Sequence, residues 1–214
     1  VLAVGGAGDR RETRAFTARG LFSSDAEESR VVRVLALTKY GREGASSRVR
    51  TFQYIPWLEQ AGLDVRVEPL FGADYLQALY ACGQRSGLYS VGRLARRAWS
   101  LLRSHGYDLV WIEKEALPWV PAGIERFLLP RGVPYVLDYD DAVFHRYDLH
   151  GRAAVRRLLG RKIDRIMAGA TAVIVGNEYL AARARAAGAR RVELLPTVVD
   201  LDRYQPTATE RADS

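Results

Sequence analysis

Cysteine is almost missing from this chain: Cys82 stands alone among 214 residues. An internal disulfide is therefore excluded, and a reducing compartment is expected. Long apolar runs are missing too, and none approaches the roughly 20 residues that a membrane-spanning helix needs. The opening ValLeuAlaValGlyGlyAlaGly is short and carries no basic leader, so a secretory signal is not expected. Together these absences point to a cytoplasmic protein. GlyGlyAlaGly at 5–8 has neither a preceding strand nor dinucleotide-loop spacing, and no glycine loop ends in Gly-Lys-Ser. Nicotinamide and nucleoside-triphosphate loops are excluded on that ground. No histidine or glutamate spacing complements the paired aspartates at 140–141, so neither a metal nor another cofactor is expected.

What is present is an ordinary globular composition, 48% hydrophobic and 27% charged. The net charge is +7, and arginine far outnumbers lysine. That balance suits an anionic partner, or it reflects arginine-rich composition and nothing more. Nucleic acid is not expected, because the basic residues lack interleaved exposed aromatics.

Residues 1–30 are rich in Gly, Arg, Ser and acids without periodicity, and read as a disordered leader. From Val31 strand and helix signals alternate. Strands are expected at 31–38, 64–71, 108–113, 134–140, 172–176 and 192–195. Helices are expected at 47–60, with a kink at Pro56, and at 74–82, 87–104, 118–129, 153–168 and 178–187. Gly62 and Gly188 should end two of them. Such alternation predicts a parallel sheet with right-handed crossovers: an α/β, Rossmann-like, doubly wound domain over 31–206. Residues 207–214 form a polar tail or the start of a linker.

Ligands of such sheets lie outside the carboxyl ends of the strands, which nominates the following loops. After the first strand, Gly41 and Gly44 precede Ser46 and Ser47, either of which suits a helix cap. Free amides and the helix terminus there favour an anion, and Arg48 and Arg50 add charge. After the fourth strand, Asp138, Asp140, Asp141 and His145 gather. Isolated carboxylates are not collected for burial, so these are candidates to orient sugar hydroxyls or act as a general base, unless they cap a turn and pair with arginines. Glu113 and Glu115 flank Lys114 as a solvated pair, with Glu113 a candidate for substrate contact. Asn177 sits where a helix cap belongs, with substrate contact the second reading. The basic helices at 87–104 and 153–168 pack an apolar stripe on the sheet with arginines and Lys162 outward, and a peripheral contact with an anionic membrane surface is open to them.

With these residues in view, the chain resembles the N-terminal, acceptor-binding domain of the family 4 retaining glycosyltransferases, of two-domain GT-B architecture. The segments that carry the resemblance are ValLeuAlaLeuThrLysTyrGlyArgGluGlyAlaSerSerArgValArg, TyrAspLeuValTrpIleGluLysGlu, ProTyrValLeuAspTyrAspAsp, ValIleValGlyAsnGluTyrLeuAla and LeuProThrValValAspLeuAspArgTyr. The resemblance implies transfer of a sugar from a nucleotide diphosphate sugar donor to a sugar, lipid or small-molecule acceptor, with retention and usually without metal. Gly41 and Gly44 match the loop that approaches the donor diphosphate, and Arg48 stands where this loop enters its helix. Asp138–Asp141 match the place where many members carry a His-Asp pair. That histidine is absent here, which leaves Asp140, Asp141 and His145 as catalytic candidates, with Glu113, Asp138 and Asn177 at the substrate. ProThrValValAsp replaces the Pro-Asn-Gly-Val-Asp hinge of many members. A second domain with paired glutamates is missing, so this chain alone should be weak or inactive. The alternative is a non-catalytic Rossmann-like module that binds a sugar, lipid or nucleotide.

Overall fold

β-branched and aliphatic runs with no room for a helical stripe become strands, and six of them do so here. They are β1 (Val32–Tyr40), β2 (Leu63–Phe71), β3 (Leu109–Glu113), β4 (Tyr135–Tyr139), β5 (Ala172–Val175) and β6 (Val192–Leu194). The protein is described by a computed structural model covering residues 30–73, 75 and 87–200. The helix expected at 74–82, Cys82, the leader and the run after Asp200 lie outside the described residues. Every strand pair is parallel, in the order β2-β1-β3-β4-β5-β6. The register aligns Leu37 with Ile112, Ile112 with Leu137 and Leu137 with Val173, so one face carries a continuous apolar row.

That row forms the core with one side of four helices: α3 (Gly87–Leu102), α4 (Ala122–Leu128), α7 (Lys162–Gly169) and α8 (Glu178–Ala186). Leu101, Ala122, Ile163, Ile166, Met167, Leu180 and Ala184 are their contributions. Pleating turns Val34, Ala36 and Thr38 to the opposite face. There the buried Phe52 and Ile55 come from the chain between β1 and β2. Gly62 and Gly188 end their helices at φ +86, the left-handed geometry that glycine adopts without a Cβ clash. Among the described residues no helix is long and apolar enough to cross a membrane.

The helices depart from expectation at three breaks. The stretch 47–60 divides into α1 (Ala45–Ser47), a π-turn (Arg48–Phe52) and α2 (Ile55–Gln60). Pro56 lacks the N–H that would continue the ladder, so the chain breaks ahead of it and the proline falls in the first turn of α2, where no donor is needed. The helix expected from Pro118 starts only at Ala122, because Trp119 takes φ 66 and Pro121 holds the cap. The stretch 153–168 splits at Gly160 into α6 (Ala153–Leu159) and α7. The bend brings the Arg156 carbonyl within 2.3 Å of where a Cβ would stand, so only glycine fits. A four-residue helix, α5 (His145–Asp148), was not expected. Arg97 and Lys162, read as outward cations, are both buried.

Candidate active site

The site starts with the turn that leaves β1. Gly44 N donates to Gly41 O at 3.1 Å, and a Cβ on Gly44 would lie 2.4 Å from the Tyr40 Cβ. Neither atom can swing away, so the turn closes only with glycine at 44. At Gly41 an added Cβ meets only the Glu43 carboxylate, the free end of a flexible side chain. The helix cap expected of Ser46 or Ser47 is not made; Gly44 is the cap, without a side-chain bond. Both hydroxyls turn inward to carboxylates instead. Ser47 Oγ donates to Glu113 Oε2 at 2.6 Å and accepts from Tyr40 N at 3.1 Å. Ser46 Oγ stands 2.5 Å from Asp140 Oδ2 and 3.2 Å from Glu113 Oε1. Glu113 also accepts from Lys39 N at 3.0 Å.

Arg50 lies in the π-turn, 1% exposed, against Asp138, 2% exposed. Its Nε and Nη2 both donate to Asp138 Oδ1, at 3.0 and 2.5 Å. Its Nη1 donates to Leu195 O at 2.6 Å, past the end of β6. Gln53 Nε2 reaches Val198 O at 3.0 Å. Two side chains of one turn thus hold the segment that follows the last strand. Burial pushes the Asp138 carboxyl up, to about 7, against the pull of Arg50.

At the end of β3 the chain reverses sharply. Glu115 N donates to Glu113 O at 2.8 Å across Lys114, whose φ is 65: a γ-turn on a non-glycine residue, a geometry held only by its surroundings. This turn sends Glu113 to the serines and Glu115 to Tyr147, Arg146 and Lys162. The pair expected to be solvated is buried. Lys114 Nζ stands 2.6 Å from Asp141 Oδ2 and 2.9 Å from Asp140 Oδ1. Burial pulls the Lys114 amine down, but Asp141 and Asp140 more than reverse this, and it is held above its usual range. Burial likewise raises Asp140, and Ser46 and Lys114 bring it below the ordinary carboxylate value. Asp141, 68% exposed, is the open end of this cluster.

Lys39 is the third cation beside it. Among the described residues its ammonium meets no acid or hydrogen-bond acceptor, only the Tyr40 ring at 5.0 Å. Burial, then Arg146 and Lys114, lower it to about 8. Lys39, Lys114 and Arg146 line a small cavity with Leu70, Pro118 and Val143.

Beneath that cavity lies a second buried network. Tyr147 OH donates to Glu115, 2.8 Å from Oε2 and 2.9 Å from Oε1, and accepts from Trp119 N at 3.0 Å. Lys162 Nζ pairs with Glu115, stands 3.1 Å from Glu125 Oε2 and donates to Leu117 O at 2.6 Å. Glu125 also accepts from Ala116 N at 2.8 Å. Burial drives the Glu125 carboxyl up, and Lys162 opposes it.

The nominated residues therefore separate. Gly44, Glu113, Asp138, Asp140 and Asp141 converge around Ser46–Arg50 and Lys114. Asp138 and Glu113 face inward, to Arg50 and the serines. His145 faces α8 and its own helix: Nε2 lies 2.6 Å from Tyr179 OH and Nδ1 2.9 Å from Asp148 Oδ1. Asn177 Oδ1 accepts from Leu180 N at 3.0 Å, the cap reading of that residue. Arg48 Nε is buried without a hydrogen-bond partner among the described residues. Sequence reasoning missed Lys39, Lys114, Glu115 and Lys162 as site residues. One signal was there: the chain uses lysine at three positions only, 39, 114 and 162, against arginine everywhere else.

A six-stranded parallel sheet with its convergent polar groups at the carboxyl ends of β1, β3 and β4 defines a Rossmann-like, glycosyltransferase-type domain, the fold of one half of a GT-B enzyme. The sequence profile of the glycosyl transferase 4-like domain matches residues 2–197, and the chain belongs to that family. No curated protein matches it.

Proposed function

We propose that the chain is the acceptor-side domain of a retaining glycosyltransferase, which moves a sugar from a nucleotide diphosphate donor to an acceptor hydroxyl. The observation that carries this reading is the Lys114–Asp140–Asp141 cluster beside the Gly41–Ser47 turn, buried at one end and open at Asp141. In this reading the amides after Gly41 and the Arg48 guanidinium face the donor diphosphate. Asp140 and Asp141 orient the acceptor hydroxyl, and Lys114 fixes both carboxylates. Glu113 and Asp138 act one layer back, by holding the serines and Arg50. His145, tied to Asp148 and Tyr179, and Asn177, which caps α8, stand apart from this cluster and take no direct part in the transfer. A second domain supplies the main grip on the donor, and Arg50 and Gln53 fix the segment that leads towards it.

The test is turnover of the full-length gene product over a panel of nucleotide diphosphate sugars. Asp140→Asn and Asp141→Asn should each lower kcat by about 100-fold, the scale of a positioned acid–base group. The exposed Asp141 variant should keep its melting temperature. Unchanged turnover in both would remove this strand end from the mechanism, and turnover by residues 1–214 alone at the full-length rate would end the two-domain requirement.

A further inference from the structure

Edge strand β2 and helix α3 leave a groove of about 190 Å³ between them. Arg66, Glu68 and Leu70 line it from the strand, and Arg93, Arg96 and Arg97 from the helix. The three helical arginines recur at i, i+3 and i+4, which places them on one face. Among the described residues the lining thus carries four guanidinium groups and the Glu68 carboxylate, with Arg93 engaged elsewhere. That carboxylate is already engaged: Glu68 accepts from Ser100 Oγ and lies 3.3 Å from Arg66 Nε.

Arg97 forms the floor at 3% exposure. Its Nη2 donates to Thr38 O at 2.9 Å and Glu68 O at 2.8 Å, both neutral carbonyls. Among the described residues it has no carboxylate partner, and burial lowers it to about 10. Arg96, exposed, likewise has no acidic partner among the described residues. A buried cation with only neutral acceptors is costly, and the Glu68, Glu113 and Glu125 carboxylates offset that cost only in part, from beyond contact distance. Arg97 ties α3 to the carbonyls of β1 and β2, but that packing does not call for Arg96 beside it. An anion with several acceptor oxygens does, because guanidinium matches phosphate oxygens in a two-pronged geometry. Outward on the same helix, Trp99 is 57% exposed with the Arg103 guanidinium 4.5 Å from its ring, and Leu102 is also exposed. An apolar stripe next to a cationic groove suits the boundary between headgroup and acyl chain.

We propose that the β2–α3 groove is a phosphate-binding site, taking the phosphate of an anionic phospholipid headgroup or of a soluble phosphate ester. Arg97 receives the anion at the floor, and Arg66 and Arg96 close on it from either wall. The site is separate from the transfer site, sharing only Leu70 with the cavity beside Lys39. Its failure would leave the transferase reading untouched.

Binding of the protein to phosphatidylglycerol vesicles, phosphatidylcholine vesicles and free glycerol phosphate tests it. The Arg66→Gln/Arg96→Gln double variant changes two exposed side chains and should keep the fold, checked by circular dichroism. It should weaken binding of the phosphate-bearing probe about tenfold or more, on the scale of one charge contact per arginine. Arg157→Gln/Arg161→Gln, an equal loss of charge on α6 and its exit, should change it less than about twofold if contact is local. Binding of the phosphatidylglycerol surface alone identifies a headgroup, and binding of glycerol phosphate identifies a soluble ester. Binding of neither, or equal loss in both variants, overturns the site.

Discussion

Replacing Arg50 by methionine should destabilise the domain by about 3–5 kcal/mol near pH 8, because it leaves the Asp138 carboxylate buried without its cation. The loss should shrink towards about pH 5. Asp138 already titrates at about 7, above its ordinary 3.8, so the folded state holds this proton more tightly than the unfolded chain does. Its contribution is full below the unfolded value and is lost as pH rises through the folded one. Without Arg50 the folded value climbs further. At about pH 5 the carboxyl is then protonated and cheap to bury, while near pH 8 it must be buried charged or take up a proton. Denaturant midpoints at the two pH values measure this. Arg50→Met/Asp138→Leu should recover most of the loss, since an apolar pair needs no partner. An equal loss at both pH values would show that Arg50 does not act through the Asp138 charge. Hydrogen exchange in 195–198 should rise in the single variant, because Leu195 O loses its guanidinium donor.

Lys162→Met is the second large effect. Lys162 is 1% exposed and, among the described residues, is the one cation in contact with both Glu115 and Glu125. Its removal leaves Glu115 with Arg146 alone and, among the described residues, Glu125 with no cation in contact, where burial has already raised it. The expected loss is again about 3–5 kcal/mol at neutral pH, or about 10 °C in Tm for a domain of this size. Lys162→Arg should recover little, because a planar guanidinium cannot take the place of a compact ammonium between Glu115, Glu125 and Leu117 O. Calorimetry on the three proteins checks both statements. Full recovery by arginine would mean that charge alone, and not fit, holds the network. Tyr147 and Trp119 hang from Glu115, so the wall of the cavity beside Lys39 should loosen together with it.

The contrast between Arg50 and Arg48 shows how far the sequence can be read. All six strands were legible, since β-branched runs such as ValIleVal admit few other solutions in a chain that alternates with helices. Glycine stops were legible at Gly62 and Gly188. Helix continuity was not: periodicity in 153–168 is unbroken, and the bend at Gly160 arises from backbone crowding that has no signature in side-chain type. Partners across the sheet were invisible for a similar reason. Arg50 and Asp138 are 88 residues apart, and only the register of β1, β3 and β4 brings them together. Arg97 and Lys162 were assigned outward because a helical stripe reports which face is apolar; it is silent on whether a charge on the border finds an acceptor. At the candidate site, topology brings the loops after β1, β3 and β4 together, while the contacts within them depend on the γ-turn at Lys114.

The scarcity of lysine gives the protein a built-in chemical handle. Arginine does not react with acylating reagents, Lys162 is enclosed by carboxylates, and Lys114 is held protonated by Asp140 and Asp141. Lys39, at about 8 against an ordinary 10.5, alone offers an uncharged amine in quantity near pH 8. An amine-directed acylating reagent should therefore mark Lys39 and the chain's amino terminus and little else, as peptide mass mapping would show, and comparable marking of Lys114 would contradict the assignment. Among its lysines, the folded protein thus offers one reactive amine, beside its own crevice, where a reporter group can be placed.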